Sequence, residues 1–181
     1  YDFKNLIVME KRSGFRSPLN YIGALAHPIK INYKLLGCSD KDQFEKMIPI
    51  ADKLYERYLL TFNPEIDEIS TVSSTEIVER REDNKMRYLF NPKEIGIKQK
   101  DYHSVFSSQT PEENAERILQ AFSGRSSPVF ELLALNAGAG FYIAGKSKNL
   151  YEGYELAKVL LSNGSTERKL DEWRKFSRES R

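Results

Sequence analysis

Only one cysteine occurs among the 181 residues. Cys38 therefore cannot join an internal disulfide framework or a cysteine-built metal centre, and its place at the end of an apolar run marks a buried thiol suited to a reducing cytoplasm. Long hydrophobic runs are missing too. No stretch approaches the roughly 20 apolar residues that span a bilayer, and the N-terminus lacks the basic-then-apolar order of a signal peptide. A soluble, cytoplasmic protein without a membrane partner is the expectation. An excess of one charge is also absent: 28 Lys and Arg face 26 Asp and Glu, scattered along the chain, so no basic field invites nucleic acid or an anionic membrane. His27 and His103 lie far apart in a sequence with few neighbouring ligands, which argues against a histidine metal site and reads both as structural or exposed. No internal repeat or low-complexity linker is present. The first residue is Tyr1 rather than methionine, so the chain reads as a processed product or as part of a longer protein. Its length suits a single domain, residues 1–181, able to bury about two thirds of its unfolded surface.

Apolar periodicity supplies the elements. Phe3, Leu6 and Ile7 fall near helical spacing, which predicts a short helix over 3–12 ended by Gly14. Residues 14–28 hold Gly14, Gly23, Pro18 and Pro28 and read as a long loop with one helical turn. A short buried strand is expected at 33–38, followed by a helix cap at Ser39-Asp40. Phe44, Met47, Ile48, Ala51, Leu54 and Tyr55 then form the stripe of an amphipathic helix over 42–55, which Pro49 should kink or restart. A second buried strand at 58–62 is stopped by Asn63-Pro64. Strand, helix and strand in that order imply a parallel pair with a right-handed crossover.

Residues 75–80 and 86–90 predict a hairpin with a polar tip at Glu82-Asp83-Asn84-Lys85. Thr110-Pro111-Glu112-Glu113 opens a helix carrying Ala115, Ile118, Leu119 and Phe122 on one stripe, closed by Gly124. The segment 128–144 is apolar around most of its circumference, the mark of a helix buried on more than one side. Its run Asn136-Ala137-Gly138-Ala139-Gly140 lacks the preceding strand of a nucleotide fingerprint, so close helix packing is the better reading. Helices over 150–162 and 165–177 follow, divided by Asn163-Gly164, with Leu170, Trp173 and Phe176 expected as the buried edge of the last. The fold class is α/β: a partial parallel sheet with flanking helices and a β-hairpin.

Chemistry concentrates after the second strand. Asp67 and Glu68 follow Phe62 by five and six residues, and ligands of open α/β sheets gather outside the carboxyl ends of the strands. A hard cation such as Mg2+ takes oxygen ligands, commonly one or two carboxylates completed by substrate phosphates and water. An acidic doublet taken alone is more often a solvated loop. Arg16, Asn20 and Lys30 flank the glycine and proline loop, where they could donate to phosphate or carboxylate groups; Arg16 pinning the loop through backbone carbonyls is the equal alternative. Cys38, with no evident histidine base, belongs to the core, and no residue is assigned a catalytic role.

Three blocks, in order and spacing, resemble the anthranilate phosphoribosyltransferase family over nearly the whole chain. Gly14-Phe15-Arg16-Ser17-Pro18-Leu19-Asn20-Tyr21-Ile22-Gly23-Ala24-Leu25-Ala26-His27-Pro28 is similar to its G-[IV]-R-T-x-x-N-x-x-G-P-L-x-N-P loop. Ile66-Asp67-Glu68-Ile69-Ser70 is similar to its D-E-[IV]-S motif. Pro111-Glu112-Glu113-Asn114-Ala115 and the segment from Leu135 to Lys146 are similar to its P-E-x-N-A and L-N-A helices. The resemblance implies the C-terminal α/β domain of the nucleoside phosphorylase and anthranilate phosphoribosyltransferase fold. It implies transfer of phosphoribosyl from phosphoribosyl diphosphate to an aromatic amine, anthranilate in tryptophan biosynthesis, with Asp67 and Glu68 as ligands of Mg2+ and with Arg16 and Asn20 binding substrate.

Two departures fall in the acceptor pocket. Glu10 stands where the family carries an arginine that pairs with the anthranilate carboxylate, and Ala24 replaces a pocket proline; His27 also replaces an asparagine. They leave open a different aromatic or nucleobase acceptor, and a non-catalytic nucleic-acid-binding relative of the same fold is the other alternative. The family's glycine-rich diphosphate loop and its helical N-terminal domain both lie upstream of the matched region. The 181 residues alone are therefore expected to bind phosphoribosyl diphosphate weakly, to catalyse nothing detectable and to be monomeric, whereas the helical domain would make a homodimer.

Overall fold

The computed structural model describes residues 12, 24–25, 27, 29–98, 101–106 and 110–179. Apart from Arg12, the expected helix over 3–12 lies outside them, as does most of the loop over 14–28. Four strands form one mixed sheet in the order β1 (Tyr33–Cys38), β2 (Arg57–Phe62), β3 (Thr75–Arg81), β4 (Asn84–Phe90). Strands β1 and β2 are parallel, with Leu36 opposite Leu60, while β3 runs antiparallel to both β2 and β4. The parallel pair and the hairpin are thus as the sequence pattern predicts.

Helix α1 (Lys41–Leu54) connects the parallel strands and starts on Asp40, whose carboxylate accepts from Gln43 N at 2.8 Å. It runs through Pro49 without a break. Pro49 is exposed, so the Glu45 carbonyl it leaves without an amide partner faces water, and the penalty of an interior proline is softened there. Beyond the sheet come a 3-10 turn (Pro92–Ile95), α2 (Tyr102–Phe106), α3 (Pro111–Phe122), α4 (Pro128–Ile143), α5 (Leu150–Ser162) and α6 (Ser165–Glu179). Side-chain oxygens of Thr110, Ser127 and Asn149 accept from the third amide of α3, α4 and α5, which fixes where each helix starts.

The sheet is covered on both faces. Tyr58, Leu60 and Val78 meet Phe44, Met47 and Ala51 of α1, whereas Leu59 and Ile77 meet Ala134, Leu135 and Ala139 of α4. Two-sided burial is why β2 reads as an unbroken apolar run rather than an alternating one. Glu79 is buried on the α4 face and accepts from the hydroxyls of Tyr88, at 3.1 Å, and Tyr142, which satisfies a carboxylate in an otherwise apolar layer.

Two expectations change. The hairpin tip has two residues, Glu82-Asp83, with Glu82 at a left-handed φ of 57° that turns the chain sharply and its exposed carboxylate 3.1 Å from Arg57; Asn84 and Lys85 become strand. The apolar edge of α6 is not buried: Trp173 and Phe176 are 68% and 67% exposed, and this helix has no buried residue. Leu170 is half-buried, and Leu170, Trp173 and Phe176 line an open groove together with Phe122 of α3, so periodicity located the apolar face but not how deeply it is covered. Among the described residues, no helix is long and apolar enough to cross a membrane.

Candidate functional site

Between β2 and β3 the chain forms a loop that leaves and returns at the carboxyl end of the parallel pair. Asn63, buried at the end of β2, ties it shut: its Nδ2 donates to Ser73 Oγ at 2.8 Å and Ser74 O at 3.1 Å, and its Oδ1 accepts from Glu65 N at 2.9 Å. Ser70 Oγ accepts from the amides of Val72 and Ser73, both at 3.0 Å, and Ser70 N donates to Thr75 Oγ1 at 2.9 Å. Ile66 and Ile69 point into the core. Asp67 and Glu68, between them, are exposed.

Two contacts fix the backbone beneath these carboxylates. A Cβ built on Gly37 of β1 would lie 1.4 Å from Asp67 O and 2.5 Å from Asp67 C, so the loop rests on a strand position that admits no side chain. From the other side, Asn136 of α4 accepts from Ile69 N at 2.9 Å and donates to Ile69 O at 3.0 Å. An amide that engages both polar groups of one residue reproduces a strand pairing and fixes the two peptides that flank Ile69.

Asp67 and Glu68 themselves have no hydrogen-bond or ion-pair partner among the described residues. The Asp67 charge is nevertheless felt. Burial first, then the negative charges of Asp67 and Asp40, push the Cys38 thiol up to about 11. This buried, free thiol is a core residue, as its sequence context predicts. Among the described residues no three His, Cys, Asp or Glu side chains gather to hold a metal ion. The donor set that is present, two adjacent, exposed, unpaired carboxylates on a fixed backbone, fits a hard cation that takes its remaining ligands from substrate oxygens and water. Thr71, buried in the same loop, has a hydroxyl with no partner among the described residues.

Other sequence candidates separate from this loop. Arg16, Asn20 and Glu10 lie outside the described residues. Ala24 is half-buried beside Leu25, whose carbonyl accepts from the Tyr55 hydroxyl. His27, Lys30 and His103 are exposed. Small residues in α4 do serve close packing: a Cβ on Gly138 would come within 2.5 Å of Tyr154 N in α5.

Sequence reasoning missed Gly37 and Asn136 as supports of the loop. The signals were present: a glycine inside a strand pattern marks close backbone approach, and Asn136 is the one side-chain amide in a mostly apolar helix.

The chain is similar to an anthranilate phosphoribosyltransferase from Bacillus pumilus, 30% identical over 179 residues, with 97% of this chain and 52% of that protein covered. Its fold is similar to the crystal structure of anthranilate phosphoribosyltransferase from Thermus thermophilus, with a TM-score of 0.87, 28% identity, and 97% of this chain and 52% of that one covered. It is similar as well to the Saccharomyces cerevisiae anthranilate phosphoribosyltransferase in complex with PRPP and Mg, with a TM-score of 0.80, 22% identity, and 93% and 49% coverage. The chain spans about half the length of the relatives it matches. Residues 2–167 match the family described as glycosyl transferase family, a/b domain. A match over that much of the sequence, on a sheet flanked by helices, makes this chain a member of the glycosyl transferase family through its a/b domain.

Proposed function

We propose that this chain is the C-terminal part of a magnesium-dependent phosphoribosyltransferase that moves phosphoribosyl from phosphoribosyl diphosphate to an aromatic amine, anthranilate in tryptophan biosynthesis, and that Asp67 and Glu68 are its metal ligands. The observation that carries this reading is the pair of exposed carboxylates, unpartnered among the described residues, on a backbone held by Gly37 and Asn136 at the carboxyl end of the parallel strands. Support comes from the yeast relative, which is described in complex with PRPP and Mg.

Breaking the bond at the ribose anomeric carbon leaves negative charge growing on diphosphate, and Mg2+, when bound, stabilises that charge more in the transition state than in the ground state. This chain's contribution is positional. Asp67 and Glu68 supply anionic oxygens without reorganising, because Ile66 and Ile69 anchor the loop on either side of them. Arg16 and Asn20 are assigned to donate to the substrate from the glycine and proline loop. Glu10 and Ala24 support a second reading of the acceptor alone: a carboxylate at residue 10 repels an anionic amine, which favours an aromatic or nucleobase acceptor without that charge. Location in the cytoplasm and dimerisation through a helical N-terminal domain belong to the same proposal.

The test is an assay of the complete gene product with phosphoribosyl diphosphate, Mg2+ and anthranilate, following loss of anthranilate fluorescence. Loss that requires both phosphoribosyl diphosphate and Mg2+ is the expected result. Consumption of phosphoribosyl diphosphate with some other aromatic amine or nucleobase would replace the acceptor, and a salt-dependent affinity for DNA without any turnover would replace the enzyme.

A further inference from the structure

We propose that Asn136 is the positioning residue of the acidic loop, setting its affinity for a divalent cation without touching the cation; this rests on the reading of Asp67 and Glu68 as metal ligands. Asn136 sits between Leu135 and Ala137 on α4, a helix whose inward positions are otherwise apolar. Its amide has one acceptor oxygen and two donor hydrogens, and the structure uses all three: Oδ1 takes Ile69 N–H at 2.9 Å, and Nδ2 gives to Ile69 O and to Leu132 O, both at 3.0 Å. The bond to Leu132 locks the amide against its own helix. The other two therefore transmit the position of α4 to the two peptides on either side of the Ile69 Cα.

The first of those peptides joins Glu68 to Ile69. Ile69 is fully buried, so its side chain fixes the depth of the loop and Asn136 fixes the tilt of its backbone. Gly37, beneath the Asp67 carbonyl, is the second support, from β1. Together the two define the directions in which the Asp67 and Glu68 carboxylates leave the chain, and a cation that needs both oxygens in near-octahedral geometry tolerates little error in those directions. Groups that orient ligands in this way typically change metal affinity about 10- to 100-fold when removed. A residue that merely closed the loop would change its stability and leave the cation affinity of the folded molecule alone.

The experiment compares the complete wild-type gene product with its Asn136→Ala, Asn136→Gln and Asp67→Asn variants by two readouts: Mn2+ binding in the presence of phosphoribosyl diphosphate, followed by electron paramagnetic resonance, and hydrogen exchange at the Ile69 amide without metal. Asn136→Ala is expected to speed Ile69 exchange and weaken Mn2+ binding about 10- to 100-fold while the cooperative melting transition is kept. Asn136→Gln, with the same amide on one more methylene, is expected to recover part of both, and it carries the test should the alanine variant fail to fold. Faster Ile69 exchange with unchanged Mn2+ affinity, when Asp67→Asn does weaken Mn2+, overturns the positioning role and leaves the metal reading in place. If Asp67→Asn does not change Mn2+ binding, the metal reading falls and this proposal with it.

Discussion

Gly37 and Cys38 are neighbours on β1 that record the acidic loop in opposite ways, one by having no side chain and the other by the environment of its thiol. An added methyl at Gly37 would overlap the Asp67 carbonyl, so Gly37→Ala must displace either the strand or the loop, at an expected cost of about 3 kcal/mol in urea unfolding. Cys38 reports charge instead. Its thiol is held up near 11 by burial and then by Asp67 and Asp40, so iodoacetamide should react with the folded chain only at strongly alkaline pH, and Asp67→Asn should move that profile to lower pH. The sign for folding follows from linkage: between the ordinary value of 9.0 and about 11 the unfolded thiol is ionised and the folded one is not, so stability falls as pH rises through that window. An alkylation profile that Asp67→Asn leaves in place would separate the loop from the thiol. Of these roles, the buried thiol was legible in the sequence because it closes an apolar run. For Gly37 the sequence signalled a close approach but not its partner, because the atom that excludes a side chain belongs to a residue thirty positions further along the chain.

Helices α4 and α5 show how one glycine run mixes two physical situations. Gly138 backs onto Tyr154 N and Gly153 C, and a Cβ on Gly153 would come within 2.3 Å of Gly138 O, so the two backbones touch. Gly140, two residues on in the same helix, has nothing within 4 Å of where its Cβ would lie. Gly138→Ala should therefore destabilise by about 1 to 3 kcal/mol, whereas Gly140→Ala should stabilise by up to about 1 kcal/mol through helix propensity. Equal effects in thermal unfolding would contradict the backbone contact. Composition alone announced close packing for the run without distinguishing these positions, since only the partner helix decides which glycine is contacted. The same limit explains α6: the stripe of Leu170, Trp173 and Phe176 has helical spacing, but spacing cannot say whether a covering element exists. The parallel pair, α1 and the hairpin were legible for the complementary reason. Their apolar patterns and stop signals are local, and a helical connection between two strands leaves few topologies.

At the scale of the whole molecule, a sheet covered on both faces presents one pinned acidic loop at the carboxyl end of its parallel strands, in a chain about half as long as its relatives. The location of Asp67 and Glu68 was readable because stop residues after β2 fix where the loop begins and the D-E-[IV]-S resemblance marks the pair. How their backbone is held was not, because Asn136 lies sixty-seven positions from Ile69 and meets it only once α4 covers the sheet. The proposed function assigns cation binding by the complete protein to these two side chains. The most direct measurement is the Mg2+ dependence of phosphoribosyl transfer by the complete gene product carrying Asp67→Asn or Glu68→Gln, beside the wild type. The account predicts a raised Mg2+ requirement and turnover lowered by about 100- to 1,000-fold, the scale on which removal of a charge-stabilising group is felt. Unchanged turnover with an unchanged Mg2+ requirement in both variants would contradict it.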